Sequence, residues 1–137
     1  ALRSTAGALA PGLLERYHLT AFVGPELPDV LALADVVISR SGAGTIAELT
    51  ALGKATVFIP LATSAGDEQR HNARHLQERG AAAALLDQVD ADHLREEVVP
   101  LLADPARRTE MADRAREEGR PDAADRLVGV VLAASTQ

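Results

Sequence analysis

Two short β-branched runs, Val36-Val37-Ile38 and Thr56-Val57-Phe58-Ile59, flank one helix-length stretch closed by Gly53. That arrangement leaves few folds open. Two apolar strands joined by a helix form a parallel pair, because a parallel crossover needs about a dozen residues and a helix supplies them. Asp35 to Ser39 reads as a continuous apolar strand of the kind buried on both faces of such a sheet. Ala55 to Ile59 is the second, stopped by Pro60.

The same alternation runs along the chain. Leu2 to Tyr17 is rich in helix formers, interrupted by Gly7, Pro11 and Gly12. Leu19 to Val23 reads as a short strand ended by Gly24-Pro25, and Leu27 to Ala34 as a helix with Pro28 in its first turn. Thr45 to Leu52 is a helix after the loop Ser41-Gly42-Ala43-Gly44, and Gly53 ends it. Asp67 to Arg79 is a helix closed by Gly80, with Asp67 as its N-cap. Ala82 to Leu86 is a weak Ala-rich strand. Helices follow at Asp90 to Ala103, Ala106 to Glu118 and Asp122 to Ala134. About four strands between helices predict an α/β fold, a Rossmann-like parallel sheet flanked by helices. A sheet of four is small for that class, which points to further strands upstream.

Composition narrows the function. The chain has 137 residues, 47% of them hydrophobic, enough for one compact core built of Ala, Leu and Val. Tyr17, Phe22 and Phe58 are its only aromatics, and the net charge is −6, so phosphate neutralisation and base stacking both lack their residues. Nucleic acid is therefore not an expected partner. The absence of cysteine excludes a disulfide framework and a thiolate metal site, and fits a reducing compartment. No apolar run reaches membrane-spanning length, and Ala1 to Pro11 lack the charged-then-apolar pattern of a signal peptide.

Ligands of open α/β sheets bind outside the carboxyl ends of the strands. Three loops are expected there: Phe22 to Glu26, Arg40 to Thr45 and Pro60 to Gln69. In the second, Gly42-Ala43-Gly44-Thr45 opens a helix. Its glycines let backbone N–H groups approach an anion such as a diphosphate, while a plain tight turn between strand and helix would use the same residues. The G-x-G-x-x-A spacing also fits a dinucleotide fingerprint, but the following strand ends in Pro60-Leu61 without the acid that would hold a ribose. Glu48 shares a helix face with Thr45 and could take both ribose hydroxyls, or could simply favour the helix dipole. Glu68, Gln69 and Asn72 offer sugar-type donors and acceptors, or a solvated helix start. His71 and His75 have zinc-like spacing without a clear third ligand. Asp90-Ala91-Asp92 reads as an N-cap rather than a metal triplet. Ser39, Ser41 and Ser64 lack a nucleophile elbow.

In order and spacing, Ala34 to Thr45, Ala47-Glu48-Leu49, Ala51-Leu52-Gly53, Ile59-Pro60-Leu61, Gly66 to Gln69, Asn72-Ala73, Gly80-Ala81-Ala82 and Arg120 to Arg126 together resemble the C-terminal domain of the MurG family. That family transfers N-acetylglucosamine to the lipid-linked muramoyl-pentapeptide of bacterial cell-wall synthesis. The resemblance implies one half of a GT-B type, inverting hexosyltransferase, with UDP-N-acetylglucosamine as donor, no essential metal and a lipid-linked acceptor. It implies that the backbone around Val23 meets the uracil. It further implies that the turn Ser41, Gly42, Ala43, Gly44 and Thr45 cradles the diphosphate, and that Glu48 holds the ribose. Glu68 and Gln69 would touch the sugar, supported by Asn72. Glu68 departs from the family's usual Gln-Gln or His-Gln pair. The family's opening strand and Gly-Gly-Ser turn are not found, so the domain over 1–137 is expected to be incomplete. The catalytic base, the acceptor and a membrane-facing patch are expected in an absent N-terminal domain. The chain alone is then expected to be a poor enzyme, and the whole protein cytoplasmic and peripheral on the inner face of the plasma membrane. Missing strands would leave an exposed sheet edge, a route to a dimer. An alternative of a different class is the donor-binding subunit of a two-chain UDP-N-acetylglucosamine transferase, which would need a partner to work, and another is a glycosyltransferase acting on a glycolipid or natural product. A bare nucleotide-sugar-binding module is a third.

Overall fold

The computed structural model describes residues 6–87 and 89–135. It forms two compact units, Ala1–Val30 and Leu31–Gln137. In the first, a short helix α1 (Pro11–Leu14) starts at a proline, whose missing N–H costs nothing in a first helical turn. Residues 2–5 of the helix expected from Leu2 lie outside the described residues. Leu19 to Val23 is not a strand: Leu19 and Phe22 are exposed, and no strand pairs with it among the described residues of this unit. A lone extended run has no ladder to satisfy its backbone, and propensity does not replace one. Helix α2 (Leu27–Leu33) crosses into the second unit.

That second unit is a three-stranded parallel sheet in the order β1-β2-β3, not one of four strands. β1 (Val37–Ser39) pairs with β2 (Thr56–Phe58) at Ile38↔Val57, and β2 with β3 (Ala83–Ala84) at Phe58↔Ala84. Helix α3 (Ala43–Leu52) joins β1 to β2 and α4 (Glu68–Glu78) joins β2 to β3, and after β3 three helices follow in succession, α5 (Ala91–Ala103), α6 (Pro105–Glu118) and α7 (Ala123–Ser135). Successive residues of β2 point to opposite faces. Phe58 enters one cluster with Leu49 of α3 and Ala73 and Leu76 of α4, while Val57 enters another with Leu101 of α5 and Met111 of α6. Fully burying side chains of this size is worth about 1.5–3 kcal/mol each, so the central strand anchors both layers.

β1 departs from the expected double burial. Ile38 is 47% exposed and belongs to neither core cluster, although Val36, two residues before it, packs against the cluster of Val57, Leu101 and Met111. Two glycines set the helix ends as expected. Gly53 (φ 59) and Gly80 (φ 68) hold the left-handed conformation that lets α3 and α4 stop and the chain turn into the next strand.

Candidate functional site

Strands β1 and β2 point their carboxyl ends at the loops that begin α3 and α4. The first loop leaves β1 at Ser39 and reaches Gly42, the N-cap position of α3, in an extended conformation (φ −68, ψ 149) with no side-chain cap. A helix leaves its first N–H groups without intrahelical partners. Here those belong to Ala43, Gly44 and Thr45, and the first helical bond runs from Ile46 N to Gly42 O at 3.0 Å. A Cβ placed on Gly42 or Gly44 would meet nothing within 4 Å, so the turn faces open space. The result is a positive helix end with free donors and no carboxylate of its own.

The second loop ends in a tight reversal, Ala65–Asp67, in which Gly66 (φ 60) and Asp67 (φ 56) are both left-handed. Asp is among the few residues that tolerate that region. The expected capping role fails for a reason of geometry: left-handed Asp67 makes no side-chain cap, and its carboxylate instead lies 3.8 Å from Arg70 Nε. Ser64 Oγ accepts from Gln69 N at 3.4 Å in its place.

The two loops are stitched together. Ser41 is fully buried and its hydroxyl donates to Gln69 O at 2.7 Å, while Asn72 Nδ2 donates to Ser41 O at 3.3 Å. Asn72 Nδ2 also lies 3.5 Å from Glu68 Oε1. Gln69 Oε1 accepts from Leu61 N at 3.0 Å. Arg40, which the sequence reading passed over, donates from NH1 to Ile59 O (3.0 Å) and Pro60 O (2.9 Å), so one guanidinium spans both loop roots. A single basic residue between an apolar strand and a Gly-rich turn was the available signal.

Ser41, Gly42, Ala43, Gly44, Thr45, Glu48, Glu68, Gln69 and Asn72 thus fall on the two adjoining loops and helix starts of the second unit. Val23 lies in the first unit. The Thr45 hydroxyl and the exposed Glu48 carboxylate have no hydrogen bond or ion pair among the described residues, and stand one turn apart on α3. Between α3 and α4 opens a cavity of about 300 Å³, to which Ala43 and Asn72 both contribute.

The alternative chemistries fare differently. His71 and His75 are exposed, His75 Nε2 lying 3.4 Å from Glu118 Oε2, and no cluster of metal-ligating side chains occurs among the described residues. Asp90 is an N-cap, as expected, accepting from Asp92 N and His93 N.

Residues 8–127 match the glycosyltransferase family 28 C-terminal domain. Among curated proteins the chain is 42% identical over 114 residues to the UDP-N-acetylglucosamine–N-acetylmuramyl-(pentapeptide) pyrophosphoryl-undecaprenol N-acetylglucosamine transferase of Prosthecochloris aestuarii, covering 80% of this chain and 31% of that protein. It is 44% identical over 120 residues to the protein of the same name from Xanthomonas axonopodis pv. citri, covering 83% and 28%. The chain therefore spans about a third of the length of the curated relatives it matches. Its structure superposes on crystalline MurG of Acinetobacter baumannii with a TM-score of 0.76 at 29% identity, covering 85% of this chain and 33% of that one. Spinosyn rhamnosyltransferase SpnG shares the fold, with a TM-score of 0.56 at 23% identity over 87% of this chain and 33% of that one. With most of its length matched, the chain belongs to the glycosyltransferase family 28 C-terminal domain family.

Proposed function

We propose that this chain is the donor-binding half of an inverting transferase that moves N-acetylglucosamine from UDP to a lipid-linked cell-wall precursor. One observation carries the reading: two adjoining helix starts, neither capped by the side chain at its own N-cap position, with an unpartnered carboxylate one turn along the first. Free N–H groups at Ala43, Gly44 and Thr45 suit a diphosphate, and their fixed dipoles favour the charge that builds on departing UDP. No metal is then needed for that task. Glu48 would accept from both ribose hydroxyls. Glu68 and Gln69 would face the sugar, with Asn72 holding Glu68. The names of the relatives supply the sugar and the acceptor class.

The attacking hydroxyl, its base and the acceptor's lipid belong in this reading to a partner domain, at the cytoplasmic face of a membrane on which the protein sits peripherally. None of the described helices is long and apolar enough to cross a membrane. Among the described residues no strand pairs with the outer side of β1, and a second copy would add a strand there.

Calorimetric titration of the chain with UDP, UDP-N-acetylglucosamine and NAD tests the donor site. Both UDP ligands are expected to bind and NAD not to. Glu48→Ala should weaken UDP binding roughly tenfold, the loss of hydrogen bonds to a charged group. Full affinity in Glu48→Ala, or preference for NAD, would sink the reading.

A further inference from the structure

Ser41 stands beside the candidate site yet shows it no side-chain surface. A hydroxyl so placed must find its partner inside the protein. Its partner is Gln69 O, 2.7 Å away and 28 residues along the chain. The carbonyl of the same serine accepts from Asn72 Nδ2 at 3.3 Å. One residue thereby grips the first turn of α4 at two points while its own backbone leads into the N-cap of α3. Asp67 does not cap that turn, so Ser41 and Ser64 fix it from outside. The bond is short and shielded from water, the setting in which a hydrogen bond is strongest.

Resting on the donor reading above, we propose that Ser41 is a positioning residue: it sets the spacing between the diphosphate-facing turn of α3 and the sugar-facing turn of α4. Its hydroxyl never touches the ligand. It acts by keeping Glu68 and Gln69 where a sugar attached to that diphosphate would reach them. A ligand resting on α3 alone would not sense the spacing, whereas one spanning both turns would. That asymmetry separates positioning from a general role in folding.

The test uses the whole chain as wild type, Ser41→Ala and Ser41→Cys, the last keeping the shape with a weaker donor. Calorimetry with UDP and with UDP-N-acetylglucosamine is paired with amide hydrogen exchange on the free protein. Ser41→Ala is expected to weaken the nucleotide sugar about fivefold, the loss of one net hydrogen bond's worth of alignment, and UDP less than about twofold. Ser41→Cys should fall between. Exchange over residues 61–72 should rise while that over 105–118 stays unchanged. Equal weakening of both ligands, unaltered affinity for the nucleotide sugar, or unaltered exchange over 61–72 would each overturn the proposal. Should wild type bind neither ligand, the donor reading has failed, and the exchange result still decides whether Ser41 holds the turn. If Ser41→Ala does not fold, Ser41→Cys carries the same comparisons.

Discussion

Helices α3 and α4 begin differently from α5 and α6. Asp90 accepts from Asp92 N and His93 N, and Asp104 from Ala106 N and Arg107 N, so each of the later helices satisfies its first donors with its own carboxylate. At the start of α3 stands a glycine, and at the start of α4 a left-handed aspartate whose carboxylate turns to Arg70. All four helices face the same demand, since every helix has orphan donors in its first turn. Where a side chain meets that demand the end is finished and serves only the fold. At α4, Glu68 N is met by Ala65 O and Gln69 N by Ser64 Oγ, so of these four ends it is α3 that keeps its first donors open to an outside anion, at the cost of the stability a cap would add. The contrast singles out the start of α3 as the one of these four with its first donors left open, without reference to any relative.

The sharpest way to break the contrast is to give α3 the cap it lacks. Gly42 has an extended backbone open to any residue, and a Cβ there meets nothing within 4 Å. Gly42→Asp should therefore fold, gaining a few tenths of a kcal/mol from capping. Its carboxylate would occupy the donors of Gly44 or Thr45 and repel a diphosphate. Losing two hydrogen bonds and adding like charge predicts a fall in UDP affinity of roughly a hundredfold. Calorimetry beside a urea melt reads both quantities. A variant at least as stable as wild type that still binds UDP normally would show that no diphosphate sits on α3.

The converse change removes a finished cap. Asp104→Ala leaves Ala106 N and Arg107 N without their acceptor and should cost about 1 kcal/mol of stability, visible in the urea midpoint. UDP affinity should stay within about twofold. An affinity that fell along with stability would erase the distinction between the two kinds of helix start.

What could be read beforehand follows the same division. Local signals were legible: the β-branched runs became β1 and β2, Gly53 and Gly80 ended their helices, and Asp90 capped α5. Each rests on a few adjacent residues. The misreadings rest on partners far along the chain. Leu19 to Val23 has strand composition but no neighbouring strand among the described residues of its unit, and Ile38 has core composition at an edge-strand position that neither core cluster includes. Asp67 matched a cap by position, yet the left-handed turn at Gly66-Asp67 points its carboxylate elsewhere. Of the residues expected at the site, those from Ser41 to Asn72 fall on two adjoining turns, because Gly-rich turn and polar helix start are sequence motifs, while Val23 lies in the other unit. How they are tied together was not legible: the Ser41 and Arg40 bonds join residues 19 to 31 apart, and although a lone basic residue before the Gly-rich turn draws the eye to Arg40, neither segment names its partner.

The smallest effect concerns the finished cap of α5. Asp90 Oδ1 accepts from His93 N at 2.9 Å, from His93 Nδ1 at 2.8 Å and from Asp92 N at 3.1 Å. The backbone bond from His93, then its ring bond, hold the Asp90 carboxyl below its ordinary value of 3.8. The ring bond to Asp90, then the attraction of its charge, raise His93 above 6.5. A lowered carboxyl contributes stability above 3.8 and loses it as pH falls through the folded value. A raised histidine contributes fully below 6.5 and loses it as pH rises through its folded value. The pair thus supports α5 fully between those limits and less on either side, and being solvent-exposed it does so weakly. Asp90→Asn separates cap from charge, since asparagine caps as well as aspartate but carries no charge. The His93 ring resonance, followed by NMR, should then titrate nearer 6.5 while the helix remains intact. An unchanged His93 titration would mean that Asp90 serves α5 through its backbone bonds alone, and that even this terminus is simpler than its geometry suggests.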